Sequence, residues 1–214
     1  MDKGLSEENF DFQSALMNLP CAFSTTLENI PAGTSYFQAE PPLISRWGAC
    51  IGQRGFCIGI CWQGNPVGSI DQGRSFPFDN FGAIRKISGV RLVSLQKNHG
   101  LDQLNSLPPG LSVETLGDDF DSGPDAFVDT AAMMSCLDIV ITCDTSIAHL
   151  AGALGVPVWV ALKHVPDWRW LLDRQDSPWY PSMKLYRQTT RGDWAEVFAR
   201  IAYDVVELSR QARD

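Results

Sequence analysis

The sequence predicts an α/β domain of Rossmann-like architecture, built on a doubly wound parallel sheet. Three observations carry this prediction. From Phe56 onward, short runs rich in β-branched and aromatic residues alternate with helix-like segments. That alternation gives parallel strands joined by right-handed crossovers. The runs are apolar on both faces, as expected of strands covered by helices on either side. With 44% hydrophobic and 20% charged residues over 214 positions, the chain also carries enough apolar material for one packed core.

The elements follow in order. In residues 1–47, Pro20, Pro31, Pro41 and Pro42 interrupt short apolar pieces, so no long regular element is predicted there. The strand candidates are FCIGICW (56–62), VRLVSLQ (90–96), SVETL (112–116), LDIVITC (137–143), VPVWVAL (156–162) and MKLYRQ (183–188). Helices are predicted around 77–87, 100–105, 125–136, 145–154, 167–173 and 193–211. The helix at 125–136 has a start signal in SGPD, where Ser122 and Asp125 have capping-box spacing and Pro124 suits a first turn. In the last helix, Val197, Ile201, Val205 and Leu208 form one apolar stripe.

Composition narrows the function. A formal charge of -8 and a pI near 4.8 repel a phosphate backbone, so no nucleic-acid partner is expected. No apolar run reaches the ~20 residues that span a bilayer. The opening residues lack the apolar core of a signal peptide, so the six cysteines are expected to be reduced thiols in a cytoplasmic protein. Cys57 and Cys61 share one face of a strand, but no second Cys or His pair has metal spacing, and no metal is expected.

The residues that carry chemistry crowd one turn, CDTSIAH, at 143–149. In parallel sheets, ligands bind beyond the carboxyl ends of the strands, where loops enter helices. With Asp144 as N-cap, Thr145, Ser146 and Ile147 would present unpaired backbone N–H groups at the positive end of a helix dipole, which suits a phosphate or pyrophosphate. His149 is four residues past Thr145 and leans back toward the same anion. Ile147, Leu150, Ala151 and Leu154 form the buried stripe, Ala148 and Gly152 permit close approach to the sheet, and Gly155 ends the helix. A capping aspartate stabilises a helix by about 1 kcal/mol with no ligand present. The turn by itself therefore leaves a docking site and a plain helix cap both open.

Longer stretches sharpen this reading. GICWQGNP (59–66), RSFP (74–77), LVSLQ (92–96), the run 137–162 and PDWRWLLDRQDSPWYPSMKLYRQ (166–188) together resemble the C-terminal domain of the heptosyltransferase-like family 9 glycosyltransferases, in particular the branch fused to tetratricopeptide repeats. The resemblance covers about residues 10–212. It implies a GT-B architecture, two Rossmann-like domains facing across a cleft, with the C-terminal one holding the nucleotide-sugar donor and no metal or other cofactor required. Residues 48–214 would then be the donor-binding domain, and 1–47 a remnant of the acceptor-side domain and its linker. The preceding half, with its G-L-G-D element and catalytic base, would lie outside this sequence, so no catalytic residue is assigned.

The same resemblance implies roles for particular residues. Asp144, Thr145 and His149 match the family's D-T-x-x-x-H donor element, with Ser146 standing where glycine is common. Arg74 matches the basic residue that meets the phosphates, a task to which a guanidinium is suited. Gln96 matches a polar contact to nucleoside or sugar, and Gln63 and Asn65 lie at the first strand's exit. Trp168, Trp170, Trp179 and Tyr180 suit either packing or stacking on a base, with packing favoured. Lys163 and His164 fall on the ligand side. Three readings follow: a donor-binding half that transfers little alone, binding a UDP-, GDP- or ADP-linked sugar; a half completed by a partner chain or a second copy over the missing domain's face; or a non-catalytic α/β interaction module.

Overall fold

In the computed structural model of the chain, residues 11–33, 35–52, 55–67, 71–107 and 112–212 are described. The elements run α1 (Leu19–Ala22), α2 (Pro41–Ile51), β1 (Phe56–Cys61), β2 (Val90–Ser94), α3 (Val128–Met134), β3 (Ile139–Cys143), α4 (Ser146–Leu154), β4 (Val158–Leu162), β5 (Met183–Arg187) and α5 (Trp194–Gln211). The five strands form one parallel sheet in the order β2-β1-β3-β4-β5. The chain winds outward from β1 to β2, then back past β1 to β3 and onward. The strand order therefore reverses between β1 and β3, and at such a reversal an open α/β sheet leaves a crevice beyond its carboxyl ends.

Period-two alternation sorts the side chains onto two cores. One face carries Cys57, Cys61, Val93, Val140, Val160 and Leu185 against α2, α3 and α4. The other carries Ile58, Ile60, Leu92, Ile139, Ile141 and Tyr186 against α5 and the segment 76–84. Cys57 and Cys61 share a face, as their spacing requires, and both are buried. In α5, Val197, Ile201 and Val205 are buried and Leu208 packs against the same core.

Several expectations are corrected. Residues 77–87, 100–105 and 167–173 form 3-10 turns rather than helices: Phe78–Gly82 with Ile84–Lys86, Leu101–Ser106 and Trp168–Trp170. Phe78, Phe81 and Ile84 recur every third residue, and in a 3-10 turn residues at that spacing eclipse one another. SVETL is not a strand. Glu114 alone bridges to Val93, exchanging bonds with Ser94 and Leu92 at 2.8 Å each, and the chain then turns at Gly117.

The helix expected at 125–136 begins at Val128, and neither Ser122 nor Asp125 caps it. Asp121 does so instead, its Oδ1 accepting from the N–H groups of Asp129 at 3.0 Å and Thr130 at 3.3 Å. In the proline-rich opening, Pro41 and Pro42 sit in the first turn of α2, where a missing N–H costs nothing. That helix runs across position 47 and buries Trp47 and Ile51. Among the described residues no helix is long and apolar enough to cross a membrane. Several large apolar side chains stand in solvent, among them Phe12, Leu16, Met17, Phe23 and Trp168.

Candidate functional site

The crowded turn sits at the strand-order reversal, where β3 ends and α4 begins. Thr145, not Asp144, is the N-cap of α4; it is extended, its own side chain does not cap the helix, and among the described residues no other side chain does. The first closing bond is Ala148 N–H to the Thr145 carbonyl at 3.1 Å. The N–H groups before it have no place in the helical ladder and point out of the N-terminus. Asp144 is half-buried, Ser146 is exposed, and the Thr145 hydroxyl turns inward, 3.3 Å from that of Thr142.

Two clefts meet on this turn. The larger, about 560 Å³, is bounded by the exits of β1 and β2 and by the start of α3; Gln63, Asn65 and Gln96 line it. The smaller, about 390 Å³, is walled by Asp144, His149, Lys163, Asp167 and Arg169. Arg74, Thr145 and Ser146 line both. Every sequence-predicted donor residue thus lies on one of two adjoining cavities.

Their engagements differ. Arg74 is held by Asp71 at 3.0 Å, and its guanidinium lies against Gly64, where a Cβ would come within 2.5 Å of Nη2. Gln96 is buried and its amide is fully used. Its Oε1 accepts from the N–H of Trp62 and of Gln63, both at 3.0 Å, and its Nε2 donates to the carbonyls of Gln63 and His99, both at 2.8 Å. Gln96 therefore fixes the β1 exit loop, and its side chain has no hydrogen left for a ligand. Gln63 Oε1 accepts from Gln103 at 3.2 Å, and Asn65 Oδ1 closes a turn on Val67 N–H at 2.9 Å. Lys163 reaches the carbonyl of Gln72 at 2.9 Å. His164 turns to Gln188, through its backbone N–H and its ring Nδ1, both at 3.1 Å, and lines neither cleft.

The aromatic loop after β4 decides the state of His149. Trp170 is fully buried and stacks on the imidazole, with centroids 5.2 Å apart and planes at 19°. Tyr180 Oη lies 3.1 Å from His149 Nδ1, and Arg169 Nη1 lies 3.2 Å from Nε2. Burial, then the charge of Arg169, holds the imidazole below its ordinary pKa of 6.5. Burial and a hydrogen bond with Tyr36 push the Tyr180 phenol up. Of the loop tryptophans Trp170 is a packing residue, Trp179 is half-buried, and Trp168 is 70% exposed on a separate apolar groove with Leu27 and Leu172.

Arg169 was not singled out by the sequence reading. Its signal was a cation between two tryptophans in a loop on the ligand side. The close approach expected of Gly152 is to Tyr180 rather than to the sheet, since a Cβ there would fall 2.5 Å from Tyr180 Cγ.

Comparison with known proteins bears on the fold. No family model matches the sequence. The chain is 26% identical over 201 residues to Protein FlbA of Caulobacter vibrioides, covering 91% of this chain and 33% of that one. In fold it is similar to the Escherichia coli ADP-heptose LPS heptosyltransferase II, with a TM-score of 0.61 at 15% identity over 83% of this chain and 54% of that one. It is also similar to the glycosyl transferase family 9 protein of Veillonella parvula, with a TM-score of 0.53 at 12% identity over 84% of this chain and 46% of that one. The chain thus spans about half the length of these structures and a third of the curated relative. The α/β fold is the one expected, shared with heptosyltransferases.

Proposed function

We propose that this chain binds the nucleoside diphosphate portion of a nucleotide-sugar and serves as the donor-binding half of a glycosyltransferase. The observation that carries this reading is the meeting of two clefts on an uncapped helix N-terminus beside Arg74, Lys163 and Arg169. A diphosphate at the Thr145–Ser146 turn would receive backbone N–H groups, a favourable helix dipole and guanidinium or ammonium charge together. Nucleoside and sugar would then extend into the two cavities on either side. Arg74, Lys163 and Arg169 stand against the carboxylates of Asp71, Asp144 and Asp167, so the counter-charge for a diphosphate would come from these cations together with the N–H groups and dipole of the α4 N-terminus. Binding is therefore proposed to be metal-independent.

Residues 48–214 are proposed as the donor domain. Transfer itself needs an acceptor held in line and a base for its hydroxyl. These are proposed to come from outside the described cleft, either from a longer protein like the relatives this chain partly spans or from a partner chain or second copy.

The test is thermal unfolding with ADP, UDP, GDP and their sugar conjugates, with and without a chelator. ADP comes first because the E. coli structure of similar fold is named for ADP-heptose. A ligand at ~100 times its dissociation constant adds about 2.7 kcal/mol. For a chain of this size that is a shift of several degrees, at roughly 2–4 °C per kcal/mol. A base-selective shift that survives chelation is expected. No shift with any of them at millimolar concentration would leave the turn a helix cap and end the reading.

A further inference from the structure

Resting on that reading, we infer that Arg169 is a side chain that meets the diphosphate, and that His149 is a positioning residue which aims it rather than a ligand in its own right. The assignment follows from hydrogen-bond chemistry. A guanidinium has hydrogens to give and no acceptor. His149 Nε2, 3.2 Å from Arg169 Nη1, must therefore be the lone-pair nitrogen of a neutral ring. The ring's single proton then sits on Nδ1 and is donated to Tyr180 Oη at 3.1 Å. With both ring nitrogens committed and one face covered by Trp170, the imidazole has no N–H left for an anion. Its depressed pKa agrees with a ring that stays neutral.

Arg169 is held from several directions. Its Nε donates to Asp167 Oδ1 at 2.7 Å, its backbone N–H donates to the same oxygen at 3.1 Å, and its carbonyl accepts from Trp179 Nε1 at 2.8 Å. Among the described residues, Nη2 makes no hydrogen bond, and the side chain is 39% exposed on the wall of the smaller cleft. A guanidinium fixed in this way has already lost the rotamer freedom that binding would otherwise cost, and its planar fork matches phosphate oxygens. A stability role alone is a poor account of the arrangement, because an ion pair this exposed contributes little to folding.

The experiment is isothermal titration of the wild-type chain and its variants with inorganic pyrophosphate and with the nucleoside diphosphate that gives the largest thermal shift. Arg169→Gln is expected to weaken both probes about 10- to 100-fold, the loss of a charge-assisted contact. Arg169→Lys, which keeps the charge without the fork, should fall between it and the wild type. His149→Ala should weaken binding, and His149→Gln, whose Oε1 can accept from Arg169, should recover most of it. The double variant His149→Ala/Arg169→Gln should bind no more weakly than Arg169→Gln alone, because the two residues act through one contact.

Arg169→Gln and Arg169→Lys both binding as tightly as the wild type would overturn the inference while leaving the proposed function standing. Additive losses in the double variant would make His149 a ligand itself and overturn its positioning role. A wild-type chain that binds neither probe would overturn the functional reading and this inference with it.

Discussion

Gly64 shows how one absent side chain shapes the cleft. Its N–H donates to Ser75 Oγ at 3.0 Å, Ser75 Oγ donates to Asp71 Oδ1 at 2.6 Å, and Arg74 Nε donates to the same oxygen at 3.0 Å. This ring of bonds lays the Arg74 guanidinium on the bare Cα of Gly64. A Cβ there would stand 2.5 Å from Nη2 and 3.0 Å from Cζ. The clashing atoms are the end of a long flexible side chain, so it is Arg74 that would give way. Gly64→Ala is thus expected to unfold close to the wild-type temperature yet bind nucleotide more weakly, by up to the ~1.5–3 kcal/mol of a hydrogen bond to a charged group. Titration calorimetry beside a melting curve checks both halves, and undiminished affinity would show that Arg74 does not touch the ligand.

At the scale of elements, α4 joins sheet, turn and aromatic loop. Ile147, Ala148 and Ala151 seat it on the sheet, Gly155 at φ 74° closes it, and Gly152 lets the Tyr180 ring against its outer side. Gly152→Ala pits two effects against each other. Alanine gains about 1 kcal/mol of helix propensity over glycine. An added methyl would fall 2.5 Å from Tyr180 Cγ and 3.0 Å from its Cβ, the root of a side chain tied to His149, and overpacking of this kind costs about 1–3 kcal/mol. Overpacking is expected to win, lowering the midpoint of urea unfolding; a variant more stable than the wild type would refute this account of the helix.

What the sequence made legible here was local. The apolar stripe of α4, its glycine stop and the continuous apolar runs of β1, β3 and β4 are patterns within one element, and such patterns need no partner. Gly152 reads in sequence as a point of close approach to the sheet, whereas its partner, Tyr180, lies beyond the next strand. The cap of α3 escaped for the same reason: Asp121 precedes the helix by several residues and reaches it only because the backbone turns left-handed at Asp121 and Phe127. Arg169 escaped because its meaning depends on the imidazole it touches. The D-T-x-x-x-H spacing marked the turn on which the two clefts meet, while the state of His149 could be seen only with Trp170, Tyr180 and Arg169 in place.

At the scale of the whole molecule, these local shifts set a window of pH in which the fold is most stable. His149 is held below 6.5 by burial and by Arg169. As pH falls through 6.5 the unfolded chain takes up a proton that the native chain resists, so stability declines from there downward. Asp167, lowered by its bond to Arg169, adds a second loss nearer its ordinary 3.8, as does Asp204, where bonds from Lys184 and Tyr186 outweigh the opposing effect of burial.

On the alkaline side, burial pushes the thiols of Cys57 and Cys136 above 9.0, and the phenols of Tyr180 and Tyr186 are pushed up as well. The unfolded chain releases those protons first, and stability falls again as pH rises past 9.0. Burial also pushes the Cys143 thiol well up, while its neighbour Cys61 is lowered by its hydrogen bond with Cys143. The expected profile of melting temperature is a plateau between 6.5 and 9.0 with two limbs on its acid side. His149→Gln, which cannot titrate, should remove the upper acid limb and leave the carboxylate limb in place. Identical acid limbs in the two proteins would mean that His149 takes up its proton as readily in the folded chain as in the unfolded one, in which case burial and Arg169 do not hold its Nε2 as the acceptor that aims the guanidinium.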